Sequence, residues 1–403
     1  MTTSSEAAAR LPAGALFVIA AAAFVMVFAA AGAPIPLYDL YRGEDGIATG
    51  DLAFGAVGYF AGTLFSLLFL GRLSDHIGRK PVILGSIGFA IAGSLLMSGV
   101  HTMPALLVAR LLQGLGSGLA ASAMGAYVFD TARGKPAWLP AMVTGSGPML
   151  GIPLGALLAA LLVETAPLPR ALPFLVISAV LAVLGVGFLF GPETCAPTPG
   201  ARRSLRPQVS VPNGAGRLVF AVGAAFVATW CIGGFYQAFA PTITTDNLGS
   251  DSVLVAAAVF SSIMIAAPLG GPIAGKLGPP RAIRAGAIIF TLAVIGALLA
   301  LWAGAIIPFL ISSLLGGIAQ GVLASGGTRA ILEHTPAHER GATLSTIYVI
   351  SYSGAAIPAL IAGRLTGLIT LPQLFLGYTG LVAIAAILAI LALDPPRTDR
   401  STP

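Results

Sequence analysis

Twelve times in its 403 residues the chain runs almost without interruption through apolar side chains. Each run is close to the roughly 20 residues a helix needs to cross the hydrocarbon core of a bilayer. The runs fall at 15–38, 52–70, 81–99, 104–128, 138–163, 171–191, 217–240, 253–274, 284–303, 306–330, 342–365 and 371–393. They are continuous and lack the alternation of apolar and polar residues that marks a barrel strand, so they predict helices. Lipid offers the backbone no partners, and a helix satisfies its own N–H and C=O groups. The first run ends in small residues, Phe28 to Gly32, that resemble a signal-cleavage site. It is too long for a signal segment, and eleven more runs follow, so it is read as a span. Short loops join the runs and leave no length for a soluble catalytic domain.

Composition agrees. Apolar residues make up 57% and charged residues 9%, with a mean hydropathy of +0.93, against about 25% charged in a soluble domain. That excludes a soluble enzyme, a disordered chain and a nucleic-acid binder, although the net charge is +6. The basic residues follow the loops instead. Seventeen Lys and Arg, from Arg10 to Arg397 and Arg400, fall on the side of both termini. Only Arg42, Arg170 and Arg364 fall on the other side. The positive-inside rule then predicts a multi-pass protein of the plasma (cytoplasmic, inner) membrane with both termini in the cytoplasm.

The longest polar stretch lies at mid-chain and carries several prolines and the cluster Arg202, Arg203 and Arg206. It predicts an N-terminal six-helix half over 1–191, a cytoplasmic linker over 192–216 and a C-terminal six-helix half over 217–403. The halves echo each other. Leu111-Leu112, Gly114, Gly118 and Ala121-Ser122 match Leu314-Leu315, Gly317, Gly321 and Ala324-Ser325 at an offset of 203. Gly71-Arg72-Leu73 matches Gly275-Lys276-Leu277 at 204. Duplicated halves are a transporter architecture, with substrate held near the midplane between them.

The loop after the second run reads Gly71-Arg72-Leu73-Ser74-Asp75-His76-Ile77-Gly78-Arg79-Lys80. Gly71 and Gly78 permit a tight turn between helix ends. Asp75 is placed to accept hydrogen bonds from a helix amino terminus or from an arginine of the opposite half. Arg79 and Lys80 add positive charge on the cytoplasmic side. This loop resembles the signature G-x-L-x-D-x-x-G-R-K of the major facilitator superfamily, and with twelve spans the resemblance covers the whole chain. It implies that family's all-α membrane fold, twelve transmembrane helices in two pseudo-symmetric six-helix halves. It also implies a loop that latches the cytoplasmic gate and does not bind substrate. The second copy, Gly278-Pro279-Pro280-Arg281, has no acid, so only the first latch is complete.

Two further segments extend the resemblance. Arg110-Leu111-Leu112-Gln113-Gly114-Leu115-Gly116 in the fourth run is similar to the family's R-x-x-Q-G-x-G, whose arginine is associated with proton coupling. An arginine in a span costs about 2.5–3.5 kcal/mol on insertion scales and faces a cavity or partner, or snorkels outward. In the fifth run Gly147, Gly151 and Gly155 make a side-chain-free stripe, and Pro148 and Pro153 bend the helix. Gly147-Pro148 and Gly151 match part of the family's G-x-x-x-G-P-x-x-G-G element of exporting antiporters. Ile152 stands where its last glycine would be, and a structural kink is the alternative. The first run ends Pro34-Ile35-Pro36-Leu37-Tyr38-Asp39, similar to the first span of twelve-span drug exporters.

Proton antiport needs a group that titrates, and no carboxylate lies in the middle of a span. Asp39 is the best-placed acid, with Arg110 as its partner, although the same position suits an interfacial acid. Asp130 is expected to pair with Arg133 or Lys135, and Glu333 and His334 to lie in the cytoplasm. The neutral polar residues Gln113, Tyr236, Gln237, Gln320, Tyr348 and Tyr352, with Trp230, Ser117 and Ser351, are candidates for a cavity that holds aromatic or amphipathic molecules. No histidine clusters with cysteines or acids, and His334 and His338 straddle Pro336, so no metal is expected. No Walker sequence is present, which argues against ATP, and no cofactor is expected. An intramembrane enzyme would need a nucleophile and base that the spans lack. The expected activity is secondary transport by a monomer, a proton-coupled efflux of small hydrophobic or amphipathic compounds by alternating access. The alternatives are a sugar or metabolite exporter, or an organic-anion importer.

Overall fold

The computed structural model of the chain describes residues 12–136, 138–336 and 339–393. Arg10, His338, Arg397 and Arg400 lie outside the described residues. Twelve of its helices are long and apolar enough to cross a membrane: α1 Gly14–Asp45, α2 Thr49–Leu70, α3 Arg79–Met97, α4 Met103–Thr131, α5 Trp138–Thr165 and α6 Leu172–Leu189. After the linker come α7 Gly216–Asp246, α8 Val253–Leu277, α9 Pro279–Trp302, α10 Ile306–Glu333, α11 Arg340–Leu365 and α12 Leu371–Leu393. Val183, Leu292, Ile307 and Leu391 stand largely exposed on their flanks. In water such a surface would drive association, whereas in lipid it is the solvated face.

Two helices run on beyond their apolar stretches. The regular helix of α1 ends at Gly32, where Pro34 and Pro36 remove backbone donors and the chain tightens into a short turn over Ile35–Leu37. It then resumes over Tyr38–Asp45 and stops at Gly46, whose φ of 65° closes the helix end. Asp39 therefore lies on a polar extension of α1. In the same way α7 continues to Asp246 and carries Thr244, Thr245 and Asp246 past its apolar run.

The packing repeats six helices on. In the first half α1 lies on α5, α2 on α4, and α3 on α4 and α6. In the second α7 lies on α11, α8 on α10, and α9 on α10 and α12. The halves meet chiefly through α2 on α11 and α5 on α8, a pair of contacts that also exchange when the halves are exchanged. Helix association in lipid depends on close packing, which small residues allow. A Cβ on Gly118 would stand 2.7 Å from the Thr63 carbonyl oxygen, and one on Gly317 2.7 Å from that of Ile263. Gly114 lies against the backbone at Tyr59, and Gly321 against that of Ala267. The repeat at offset 203 is thus a backbone-to-backbone crossing made twice. The stripe on α5 lies against α1 in the same manner: Gly147 on the Phe24 ring, Gly151 on Val25 and Phe28, Gly155 on the Ala29 carbonyl.

One face of the bundle carries the linker and the loops beside it. The other carries the remaining loops. They are called the linker face and the far face below.

Candidate functional site

A small cavity of about 80 Å³ lies between the halves. Phe28 of α1, Tyr59 and Phe60 of α2 and Met149 of α5 wall it from one side, and Trp230 and Gln237 of α7, Phe260 of α8, Gln320 of α10 and Tyr352 of α11 from the other. None of the described residues that line it is charged. The rings of Trp230 and Tyr352 meet edge to face at 4.6 Å, and Phe60 approaches Tyr352 across the divide at 6.1 Å. Gln237 and Gln320 are 4% and 6% exposed, and the carboxamide oxygen of each is buried without a hydrogen-bond partner.

The sequence candidates divide here. Gln237, Gln320 and Tyr352 line the cavity, as Trp230 does. Tyr236 does not: its hydroxyl is 2.6 Å from that of Ser313, its ring stacks on Phe309, and it is core of the second half. Gln113 is also withdrawn, donating to the Ala30 carbonyl at 2.9 Å. Tyr348 lines a separate cleft nearer the linker face. Pro148 of α5 is part of the central wall, while Gly151 and Gly155 serve the packing on α1.

Arg110 is fully buried one layer behind the cavity, its guanidinium 4.8 Å from the centre of the Tyr59 ring. It donates to the Ala31 carbonyl at 2.6 Å and to the Gln113 amide oxygen at 3.0 Å. Its Nε and Nη2 have no partner. Arg110 therefore does not snorkel outward; it grips α1 immediately before the break at Gly32. Asp39 does not pair with it.

Asp39 belongs instead to a junction on the far face. Arg42 reaches across to Asp246 of α7 with two bonds, 2.8 and 2.9 Å, and lies 3.0 Å from Asp39. Thr245 of α7 donates to Asp39. Nearby, Glu164 at the end of α5 accepts from the Ser252 hydroxyl at 2.6 Å and the Leu254 amide at 3.0 Å, capping the start of α8. Gly50 of α2 meets Gly363 of α11 backbone to backbone. The extension that carries Asp39 and Arg42 is braced from its own half, since Arg170 donates to Asp45 at 2.7 Å and to Glu44 at 2.6 Å. Burial opposes the charge of Arg170, but these bonds outweigh it and raise its pKa above the usual arginine value. The Arg42–Asp246 pair is partly exposed, at 29% and 46%, so its contribution is about 1 kcal/mol or less. Arg42→Ala is accordingly expected to shift the halves several-fold toward separation at the far face. Electron-paramagnetic distance measurements between labels on Leu168 and Leu368 would show the longer population grow, and an unchanged distribution would remove Arg42 from the latch.

At the linker face the halves part. Met149 and Gln320 of the central cavity also line a second cavity of about 230 Å³. Its Gly145, Ala324 and Ser325 in turn border an open one of about 540 Å³, walled by Arg329, Glu333 and Arg340. A stepwise route thus runs between α5 and α10 from the centre to this face. On the opposite flank a cleft of about 570 Å³ separates Arg72, Asp75 and Arg79 from α11.

The signature loop borders that cleft. Gly78 has φ of 98°, which strains any residue with a Cβ, and a Cβ there would stand 2.6 Å from the carboxylate of Glu193 and displace it. Glu193, from the linker, accepts from the Arg79 and Lys80 amides at 2.7 and 3.0 Å and caps α3. That is the role expected of Asp75, which instead accepts from Arg79 of its own half at 2.9 Å. Asp130 also departs from expectation. It pairs with Arg79 at 3.2 Å and accepts from Thr194 at 2.7 Å, while Lys135 lies 4.9 Å above the Phe17 ring. Lys80 donates to the Gly191 and Leu189 carbonyls. Gly71 packs on the preceding turn at Leu67. In the second copy Gly278 keeps a positive φ of 73° at the start of α9, so the turn survives where the acid is lost. No group of three or more possible metal ligands occurs among the described residues.

The contacts by which Arg42 and Asp246, Glu164, and Glu193 tie distant helices together carry no local signal, because they join residues 88 to 204 positions apart. The available clue to the far-face latch is the repeat: the first helix of each half continues as a polar extension, and the two extensions meet.

A sequence model of the Major Facilitator Superfamily matches residues 16–308 and 221–403. The multidrug resistance protein MdtG of Dickeya zeae (strain Ech586) is 28% identical over 324 residues, 75% of each chain. The multidrug resistance protein MdtL of Klebsiella pneumoniae (strain 342) is 46% identical over 61 residues, a match that spans 15% of either chain. Among solved structures, the nucleoside transporter NupG superposes with a TM-score of 0.72 at 12% identity, over 94% of this chain and 100% of that one. The human organic anion transporter MFSD10 (TETRAN) does so with a TM-score of 0.65 at 18% identity, over 94% of this chain and 100% of that one.

Proposed function

The chain belongs to the major facilitator superfamily of membrane transporters, which are not enzymes, and we propose that it is a proton-coupled exporter of small hydrophobic or amphipathic compounds, working as a monomer by alternating access. One observation carries this reading: an uncharged, aromatic cavity between the halves, with a route toward the linker face and a latched far face. Aromatic and methionine walls hold apolar molecules of varied shape through area and adaptable packing. The likeness to the multidrug resistance proteins MdtG and MdtL points the same way. By the distribution of Lys and Arg the linker face is cytoplasmic, so the arrangement is one that loads from inside the cell.

The proposed coupling pair is Asp39 and Arg110. The two do not touch, but both act on α1, whose Phe28 walls the cavity. Arg110 holds α1 at Ala31, and Asp39, beside Arg42 of the same helix, joins it to Thr245 of α7 at the latch. A proton on Asp39 removes one counter-charge of Arg42 and alters the balance between the two openings. Asp39→Asn in proteoliposomes is expected to abolish the response of transport to an imposed pH gradient while downhill exchange of substrate persists. Full gradient-driven transport by that variant would take Asp39 out of the mechanism.

A second reading has one observation in its favour. The two unpartnered nitrogens of buried Arg110 suit an organic anion, and the chain shares its fold with an organic anion transporter. Transport of anions that is lost in Arg110 variants, with apolar compounds ignored, would favour it.

A further inference from the structure

We propose that the central cavity selects uncharged aromatic molecules that donate hydrogen bonds to Gln237 and Gln320, and that it rejects permanent cations. This rests on the cavity being the transport site and names its substrate class. Two observations support it independently.

The first is the pair of orphan acceptors. Buried carboxamide oxygens are nearly always hydrogen-bonded, because an unmade bond in a low-dielectric site leaves the desolvation of the group uncompensated. Here two glutamines that line one cavity, on α7 and α10, each hold such an oxygen buried and unpartnered, among side chains that are almost all apolar. A ligand with two N–H or O–H groups supplies what both lack. The surrounding rings of Phe28, Tyr59, Trp230 and Tyr352 supply faces and edges for a flat apolar body.

The second is the sign of the field. Among the described residues lining the cavity there is no carboxylate to receive a cation. The charge that stands behind the wall is positive: Arg110 lies over Tyr59, bonded to neutral groups only. A cation entering the cavity would lose its hydration without a counter-ion and face a guanidinium across one ring. An aromatic enclosure attracts cations through ring faces, but the Tyr59 face is already used by Arg110. Gln320 also borders the next cavity toward the linker face, so the selection acts where the molecule enters.

The test is binding to the purified full chain in nanodiscs, read by quenching of tryptophan fluorescence, with transport of the same compounds measured in proteoliposomes. The compounds are para-hydroxyacetanilide, which is uncharged with two donors, its doubly methylated form with none, and phenyltrimethylammonium, a permanent cation of similar size. Wild type is expected to bind the first at least about tenfold more tightly than the other two, the size of one net hydrogen bond. Gln237→Leu and Gln320→Leu are each expected to weaken that preference and the double variant to lose it, while all bind the methylated form as wild type does. Gln320→Glu is expected to gain binding of phenyltrimethylammonium, a result that a misfolded variant would not give. Equal binding of the cation and the neutral donor by wild type would overturn the proposal, as would unchanged preference in both leucine variants. Donor-dependent binding without gradient-driven transport would leave the proposal standing and remove the exporter reading. Gradient-driven transport of all three compounds alike would do the reverse.

Discussion

Gly155→Ala is expected to destabilise the first half by about 3 kcal/mol or more, the upper range for overpacking a tight interface. The added methyl would fall on the Ala29 carbonyl of α1. That atom is backbone, so no rotamer change relieves the overlap, and two helices must move apart along their length. Gly145→Ala on the same helix is the control, since a Cβ there meets nothing within 4 Å, and alanine is a better helix former than glycine by about 1 kcal/mol. Thermal unfolding in detergent should show a large drop in Tm for the first variant and none for the second. Equal stability of the two would mean that α1 and α5 are not in backbone contact.

Arg110→Leu should separate function from stability. Gradient-driven transport is expected to fall about a hundredfold or more, which corresponds to about 2.7 kcal/mol in a rate-limiting barrier. The fold should change little. Leucine leaves the Ala31 carbonyl and the Gln113 amide oxygen without a donor, at about 1–3 kcal/mol each. It also removes a charge whose placement in a span costs about 2.5–3.5 kcal/mol. The two effects oppose each other. Arg110→Lys keeps the charge and one nitrogen able to donate twice, as Nη1 does here, but on a shorter side chain without the flat group that lies over Tyr59, so it should fall between. Near wild-type transport by Arg110→Leu, with Tm unchanged, would show that the buried charge is no part of the cycle.

The fold was legible because the bilayer imposes it. A helix must be apolar for the thickness of the hydrocarbon core, and twelve runs met that length before any contact was known. The repeat was legible through glycines: Gly114 and Gly118 recur as Gly317 and Gly321 because both pairs stand where a Cβ would strike another helix. The signature loop was legible in outline, and Gly78 has the positive φ that its place in the motif implies.

The site was legible only in part. Gln237, Gln320 and Tyr352 look no different in sequence from Tyr236 and Gln113, which turn into their own halves, because period alone does not say which neighbour a helix face meets. Asp39 was singled out for its chemistry, yet its partners are Arg42, three residues on, and Thr245 in the other half. Glu193 was invisible for a related reason. Its carboxylate caps a helix that begins 114 residues earlier in the chain, and no local pattern announces that contact. Electrostatic pairs between halves are set by tertiary placement, and sequence spacing records only the pairs made within one helix.

The central claim is that the uncharged cavity carries apolar compounds outward in exchange for protons. The most direct measurement uses proteoliposomes loaded with an acidic buffer, in which an inserted fraction has its linker face outward, and follows an uncharged aromatic dye added outside. Accumulation of the dye in the lumen against its gradient, with alkalinisation of the lumen in step and release when an ionophore collapses the pH difference, is the predicted result. Dye uptake that is the same with and without the pH gradient, and that moves no protons, would contradict it.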